Sequence, residues 1–252
     1  MNANAPCTTQ SPSRTTQQRG PGIIAIDGPA ASGKSTVGHA VAERLNYLFF
    51  DTGLMYRVVT RVALDRGMDV HDRDAVGALA EELDIALLPA GAAEAPGRYV
   101  TVLVDGQDVT DALRTPDVDR HVSVVAANPR VRAALSLHQR RIGQQYASGH
   151  AGKAGIVMVG RDIGTVVLPE APLKIYLDAP VEERARRRHQ ELLQQGKDVP
   201  FEQVLADMQR RDAIDSQRDV APLRVAEDAH VIQTADLTVE QVVERILEKI
   251  ED

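Results

Sequence analysis

Residues 28–35 read Gly28-Pro29-Ala30-Ala31-Ser32-Gly33-Lys34-Ser35, a complete G-x-x-x-x-G-K-S run. It follows the apolar stretch 23–26 and precedes a helical pattern in which Val37, Val41 and Leu45 recur at four-residue spacing. That order of strand, glycine loop and helix is the context the motif needs. Gly28 and Gly33 allow the turn and a close backbone approach, and the loop amides and helix N-terminus face phosphate oxygens. Lys34 reaches the β and γ oxygens, and Ser35 ligates magnesium. The segment from Gly28 to Thr36 is therefore the expected ATP site, with Mg²⁺ as its cation.

Such a loop belongs to a parallel α/β sheet, and the rest of the chain reads accordingly. Short apolar runs at 23–26, 47–50, 156–159, 173–177 and 230–233 alternate with amphipathic patterns, as strands and crossover helices do. The last run leads into Thr238 and Gln241, spaced as a capping box before Val242, Val243, Ile246 and Leu247. Two stretches break the alternation and read as insertions. The first, about 66–119, contains a hairpin pattern at 99–109 with Asp105-Gly106 at its turn, after an Ala/Gly/Pro loop at 89–97. The second, about 182–223, is helical and highly charged, interrupted by Gly196 and Pro200, and is expected to be mobile. Residues 1–22 are polar, lack acids and carry no apolar run, so they read as a disordered tail. The domain that carries the phosphate loop is expected over 23–252.

The 252 residues are 43% hydrophobic and 26% charged, with no apolar stretch long enough to span a membrane. One cysteine, Cys7, excludes an intrachain disulfide, and a cytoplasmic monomer is expected. A net charge of −7 and eight aromatic residues argue against nucleic acid as a partner. An acidic chain that binds anions must gather its arginines at one place.

The candidate acceptor residues lie at strand ends, where open α/β sheets hold ligands. The second run ends in DTGLMYR, which supplies Asp51, Thr52 and Arg57; the third ends in GRDIGT, which supplies Arg161 and Asp162. Arg132, in NPRVR, opens a helix and is a third candidate for an acceptor phosphate. In the charged insertion Glu182/Arg186 and Glu183/Arg187 are spaced as helix ion pairs, whereas Arg184 and Arg188 lack i, i+4 partners and share a face. An anion between them would relieve their repulsion. Arg211, Asp215 and Arg218 form a further polar stripe at i, i+4 and i+7.

Together IDGPAASGKST, DTGLMYR, NPRVR, GRDIGTVV, RRDAIDSQR and the following VAPL resemble bacterial cytidylate kinases, in order and at compatible spacing from Ile23 to the C-terminus. The resemblance implies a nucleoside monophosphate kinase: a P-loop NTPase three-layer α/β fold with a five-stranded parallel sheet, an inserted monophosphate-binding subdomain and a helical lid. It implies ATP and CMP or dCMP as substrates. Arg57, Arg132 and Arg161 would hold the CMP phosphate, Thr52, Asp162 and Arg218 would lie near cytosine, and Ser123, Arg211 and Asp215 near the sugar. Lys34, Arg184 and Arg188 would be the catalytic cations. The chain departs from the family pattern at Val159, where relatives typically carry an acid, and Asp51 at the neighbouring strand end is the expected substitute in the magnesium's water shell. The rivals are a P-loop kinase of another small acceptor, such as UMP, AMP or shikimate, and a nucleotide-dependent switch.

Overall fold

The computed structural model describes residues 20–89 and 99–251. Cys7, nearly all of the expected tail and nearly all of the loop at 89–97 lie outside the described residues. β1 (Ile23–Asp27) leads through the glycine loop into α1 (Lys34–Leu45), β2 (Leu48–Asp51) and α2 (Gly53–Asp65). Next come α3 (Arg73–Glu82), β3 (Ile85–Pro89), β4 (Val100–Val104), β5 (Gln107–Asp108) and a 3₁₀ turn, Thr110–Leu113. α4 (Pro116–Ala126) and α5 (Pro129–Ala147) return the chain to β6 (Ile156–Gly160), which a π-helical turn, Ile163–Val167, separates from β7 (Leu173–Asp178). α6 (Val181–Gln194) and α7 (Phe201–Gln217) precede β8 (His230–Gln233) and α8 (Val239–Glu251).

Five strands form one parallel sheet in the order β2-β6-β1-β7-β8. β1 and β6 are buried along their whole length, as central strands covered by helices on both faces must be, and they pair from Ile23↔Ile156 to Asp27↔Gly160. At the edge, β8 buries only Ile232. Ile24, Ile26, Phe50, Met158 and Ile175 anchor the core. The parallel register brings the carboxyl ends of β1, β2 and β6 to one rim, with Asp51 opposite Val159. This is the three-layer P-loop sheet expected from the sequence. The capping box is also present: Thr238 N–H donates to Gln241 Oε1 at 2.9 Å and Gln241 N–H to Thr238 Oγ1 at 3.3 Å.

Within the first insertion the expected hairpin is β4 and β5, turned by Asp105 and Gly106 at φ 49° and 79°. Positive φ at both positions matches a two-residue turn to the twist of the strands. The structure adds α3 and a third antiparallel strand, β3. In the second insertion α6 and α7 pack through Ala185, Val204 and Met208 onto Ala30 of the glycine loop. No helix among the described residues is long and apolar enough to cross a membrane.

Candidate active site

The glycine loop is shaped by its neighbours. A Cβ on Gly28, whose φ is 150°, would lie 2.1 Å from the Leu177 carbonyl oxygen of β7, and Gly33 enters α1 at φ 93°. Only glycine meets both demands cheaply. Lys34 is buried and bends back, donating to the Pro29 carbonyl at 2.5 Å and to Ser32 Oγ at 3.2 Å. Burial, and then the nearby Arg161 guanidinium, push its pKa down. A phosphate would reverse that shift by supplying the missing anion.

Beside the loop, Ser35 Oγ donates to Asp51 Oδ2 at 2.9 Å, while Gly53 N–H holds Asp51 Oδ1 at 3.0 Å. Val159, paired with Asp51 across the sheet, turns into the core against α1. A Cβ on Gly38 would lie 2.7 Å from its Cγ1. The carboxylate at this end of the loop thus comes from β2.

A cleft of about 710 Å³ opens at the rim. Every candidate catalytic, ATP-site or acceptor-site residue lines it except Gly28, Pro29 and Arg184. Local structure explains the convergence. Asn128 caps α5 by accepting from Arg130 N–H at 3.0 Å with Pro129 in the first turn, so the helix starts where Arg132 points inward. Arg132 donates to the Ala126 carbonyl at 3.0 Å and to Asp162 Oδ2, and lies over the Tyr56 ring at 5.4 Å. Arg218 lies 3.6 Å from Asp162 Oδ1 and donates from Nε to the Ala221 carbonyl at 2.6 Å. Arg161 donates to Asp215 Oδ2 at 2.9 Å, and Thr52 Oγ1 to the Val159 carbonyl at 2.9 Å. Ser123 is buried on α4.

Pairing is incomplete here. Arg132 Nε, Arg211 Nε and Arg218 Nη2 are buried without a hydrogen-bond partner. Burial, followed by Arg161 and Arg57, pushes Arg211 down to about 10. Unspent buried donors of like charge mark a place built for an anionic, polar ligand.

The lid arginines differ from one another. Arg188 faces the cleft and pairs with Asp119 at 3.0 Å and Glu191 at 3.1 Å. Arg184 turns away, 5% exposed, donating to the carbonyls of Ala179 and Ala30 and pairing with Asp212 of α7 at 2.6 Å. The two arginines therefore do not flank a common anion in this arrangement. Helix spacing exposed the lack of an i, i+4 partner but could not reveal the tertiary ones or the i, i+3 pair with Glu191. Arg187 pairs with Glu183 at 3.4 Å as its spacing predicted, whereas Arg186 pairs with Glu183 at i, i+3.

The sequence reading missed three acids. Asp27, at the end of β1, accepts from Ile163 and Gly164 N–H at 2.9 and 2.8 Å and so fixes the turn that carries Arg161 and Asp162. Burial, and secondarily Asp162, outweigh those bonds and push its carboxyl up to about 6. Asp119 and Asp212 hold the lid arginines. Asp119 stands four residues before Ser123, a spacing that places both on one face of α4, and this was the only sign of it in the sequence.

Residues 24–252 match the family model described as Cytidylate kinase. The chain belongs to the cytidylate kinase family. It is 49% identical to the cytidylate kinase of Roseiflexus castenholzii over 92% of this chain and 94% of that one. For the cytidylate kinase of Geobacillus kaustophilus the figures are 48%, 91% and 96%, and for that of Bacillus subtilis 44%, 90% and 96%. Membership makes the chain a nucleotide-binding phosphotransferase, a nucleoside monophosphate kinase.

Proposed function

We propose that the chain transfers the γ-phosphate of ATP to CMP or dCMP, giving ADP and CDP or dCDP. The observation that carries this reading is the set of buried arginine nitrogens without a hydrogen bond in the same cleft as a complete phosphate loop. ATP lies along Gly28–Thr36, with Lys34 on its terminal phosphates. The acceptor phosphate lies among Arg57, Arg132 and Arg161. Thr52, Asp162 and Arg218 surround the base, and Ser123, Arg211 and Asp215 the sugar.

An acceptor phosphate oxygen attacks the γ-phosphorus in line, the bond from that phosphorus to the bridging oxygen breaks, and ADP leaves. The acceptor is already anionic near neutral pH, its second ionisation lying at about 6, so no general base is required. Catalysis is then mainly positioning and charge neutralisation by Lys34 and Arg188. The all-oxygen pair of Ser35 hydroxyl and Asp51 carboxylate, 2.9 Å apart beside the loop, suits a magnesium ion that keeps part of its water shell. Ser35 would hold it directly and Asp51 through water; when bound it supplies positive charge at the β and γ oxygens. Closure of α6 and α7 over the loop keeps water from accepting the phosphoryl group.

Asp162 accepts from the cytosine amino group, a donor that uracil replaces with a carbonyl oxygen, so the wrong base sets an acceptor against a buried carboxylate and is penalised. Asp162→Asn is expected to lower kcat/KM for CMP by at least about tenfold while narrowing the preference for CMP over UMP. Steady-state assays of both acceptors on folded variant check it; an unchanged CMP to UMP ratio would remove Asp162 from base selection.

A further inference from the structure

Asp119 lies on α4, between the acceptor side of the cleft and the lid. Its Oδ1 accepts from Arg57 Nη2 at 2.7 Å and its Oδ2 from Arg188 Nη2 at 3.0 Å, so one carboxylate bridges two arginines that come from α2 and α6. Arg211 of α7 adds a third positive charge nearby. The side chain of Asp119 is 24% exposed. Burial alone would raise its pKa, but Arg57, Arg188 and Arg211 outweigh it and hold the carboxylate below the usual range.

We propose that Asp119 is an internal stand-in for the acceptor phosphate: it holds Arg57 and the lid arginine Arg188 together while no nucleotide is bound, and the acceptor phosphate displaces it. This rests on the reading of Arg57 as an acceptor-phosphate residue. Without an anion at this point, Arg57, Arg188 and Arg211 would repel one another across a cleft that water only partly screens, and α6 would swing outward. With Asp119 in place the helices stay near their working positions. The arrangement has a cost. The incoming phosphate meets a carboxylate of like charge already seated on Arg57, one of the groups that should receive it, so acceptor affinity is held down and made dependent on Asp119 letting go. Asp119 touches neither reacting atom in this account; it positions Arg57 and Arg188.

The test uses Asp119→Asn, which keeps size and shape but removes the charge. Asp117→Asn serves as control, since Asp117 is exposed on the same helix and pairs with Arg120 outside the cleft. Two quantities are read: amide hydrogen exchange along 181–194 in the ligand-free enzyme, and the CMP dissociation constant by calorimetry without ATP. The proposal expects faster exchange in α6 and CMP binding about three- to tenfold tighter for Asp119→Asn, with neither change in the control. Unchanged exchange in α6, or CMP binding equal to or weaker than that of the parent enzyme, would overturn it. Weaker binding would make Asp119 a fixed support for Arg57 instead of a competitor. Failure of the parent enzyme to bind CMP at all would fall on the proposed function instead, because the exchange measurement needs no nucleotide.

Discussion

Asp51 and Val159 stand opposite each other across β2 and β6, yet their side chains do different work. Val159 fills the core against Gly38, while Asp51 receives the hydroxyl of Ser35. The carboxylate beside the Ser35 hydroxyl therefore reaches the loop from β2. Asp51→Asn is expected to lower kcat by about 100-fold with little change in CMP affinity, because its effect is confined to the transferring phosphates; parallel turnover and CMP titrations check this, and unchanged turnover would exclude Asp51. Arg188→Ala should likewise reduce kcat by about 100-fold and CMP affinity much less, since a lid cation matters most when charge develops in transfer. An intact kcat with lost affinity would place Arg188 in acceptor binding alone. Asp51 was legible in the sequence because it closes an apolar run at a strand end, and Arg188 because helix spacing left it without an i, i+4 partner. Asp27, Asp119 and Asp212 were not, because each acts on a partner far away in sequence: Asp27 on Ile163 and Gly164, Asp119 on Arg57 and Arg188, Asp212 on Arg184.

Among the elements, those with a strong local code were read correctly. The β4–β5 hairpin declares itself through Asp105-Gly106, and α8 through its capping box. β3 lacked such a signal: its run abuts a small-residue loop, and it becomes a strand only by pairing with β4 from Ile85↔Val104 onward. The π-helical turn after β6 is also a tertiary product, held by the Asp27 carboxylate. That carboxylate has a measurable signature. Its pKa rises from 3.8 in the ordinary state to about 6 in the fold, so between these values the native enzyme binds the proton more tightly than the unfolded chain. Its contribution must therefore fall as pH rises from about 4 to about 6, by roughly 3 kcal/mol at most, and stay flat above. Denaturant titrations of ligand-free enzyme across that window should show the decline, and Asp27→Asn should remove it even though the variant is less stable overall through loss of one backbone bond. Equal slopes in the two proteins would contradict the assignment.

For the molecule as a whole, the distribution of charge matters more than its sum. A chain of net charge −7 nevertheless lines one cleft at the rim of the parallel sheet with eight arginines, among them Arg57, Arg132, Arg161 and Arg218, so that anionic substrates meet dense positive charge there. The lid rests on a small apolar cluster around Ala185, Val204 and Met208 and on the Arg184–Asp212 pair, apart from the main core. An element with so little buried surface suits the closure over nucleotides that the proposed function requires. Arginines held by carboxylates inside the cleft, limited packing under α6 and α7 and a loop shaped for phosphate together suit one cycle of transfer from ATP to a nucleoside monophosphate. The most direct test follows the products by phosphorus NMR, from ATP, Mg²⁺ and either CMP, dCMP, UMP, AMP or no acceptor, with Lys34→Ala as control. Equal amounts of ADP and CDP or dCDP, little free phosphate, much slower turnover of UMP and AMP, and none in the control are expected. ADP formed at the same rate without an acceptor, or no ADP with any of them, would contradict the account.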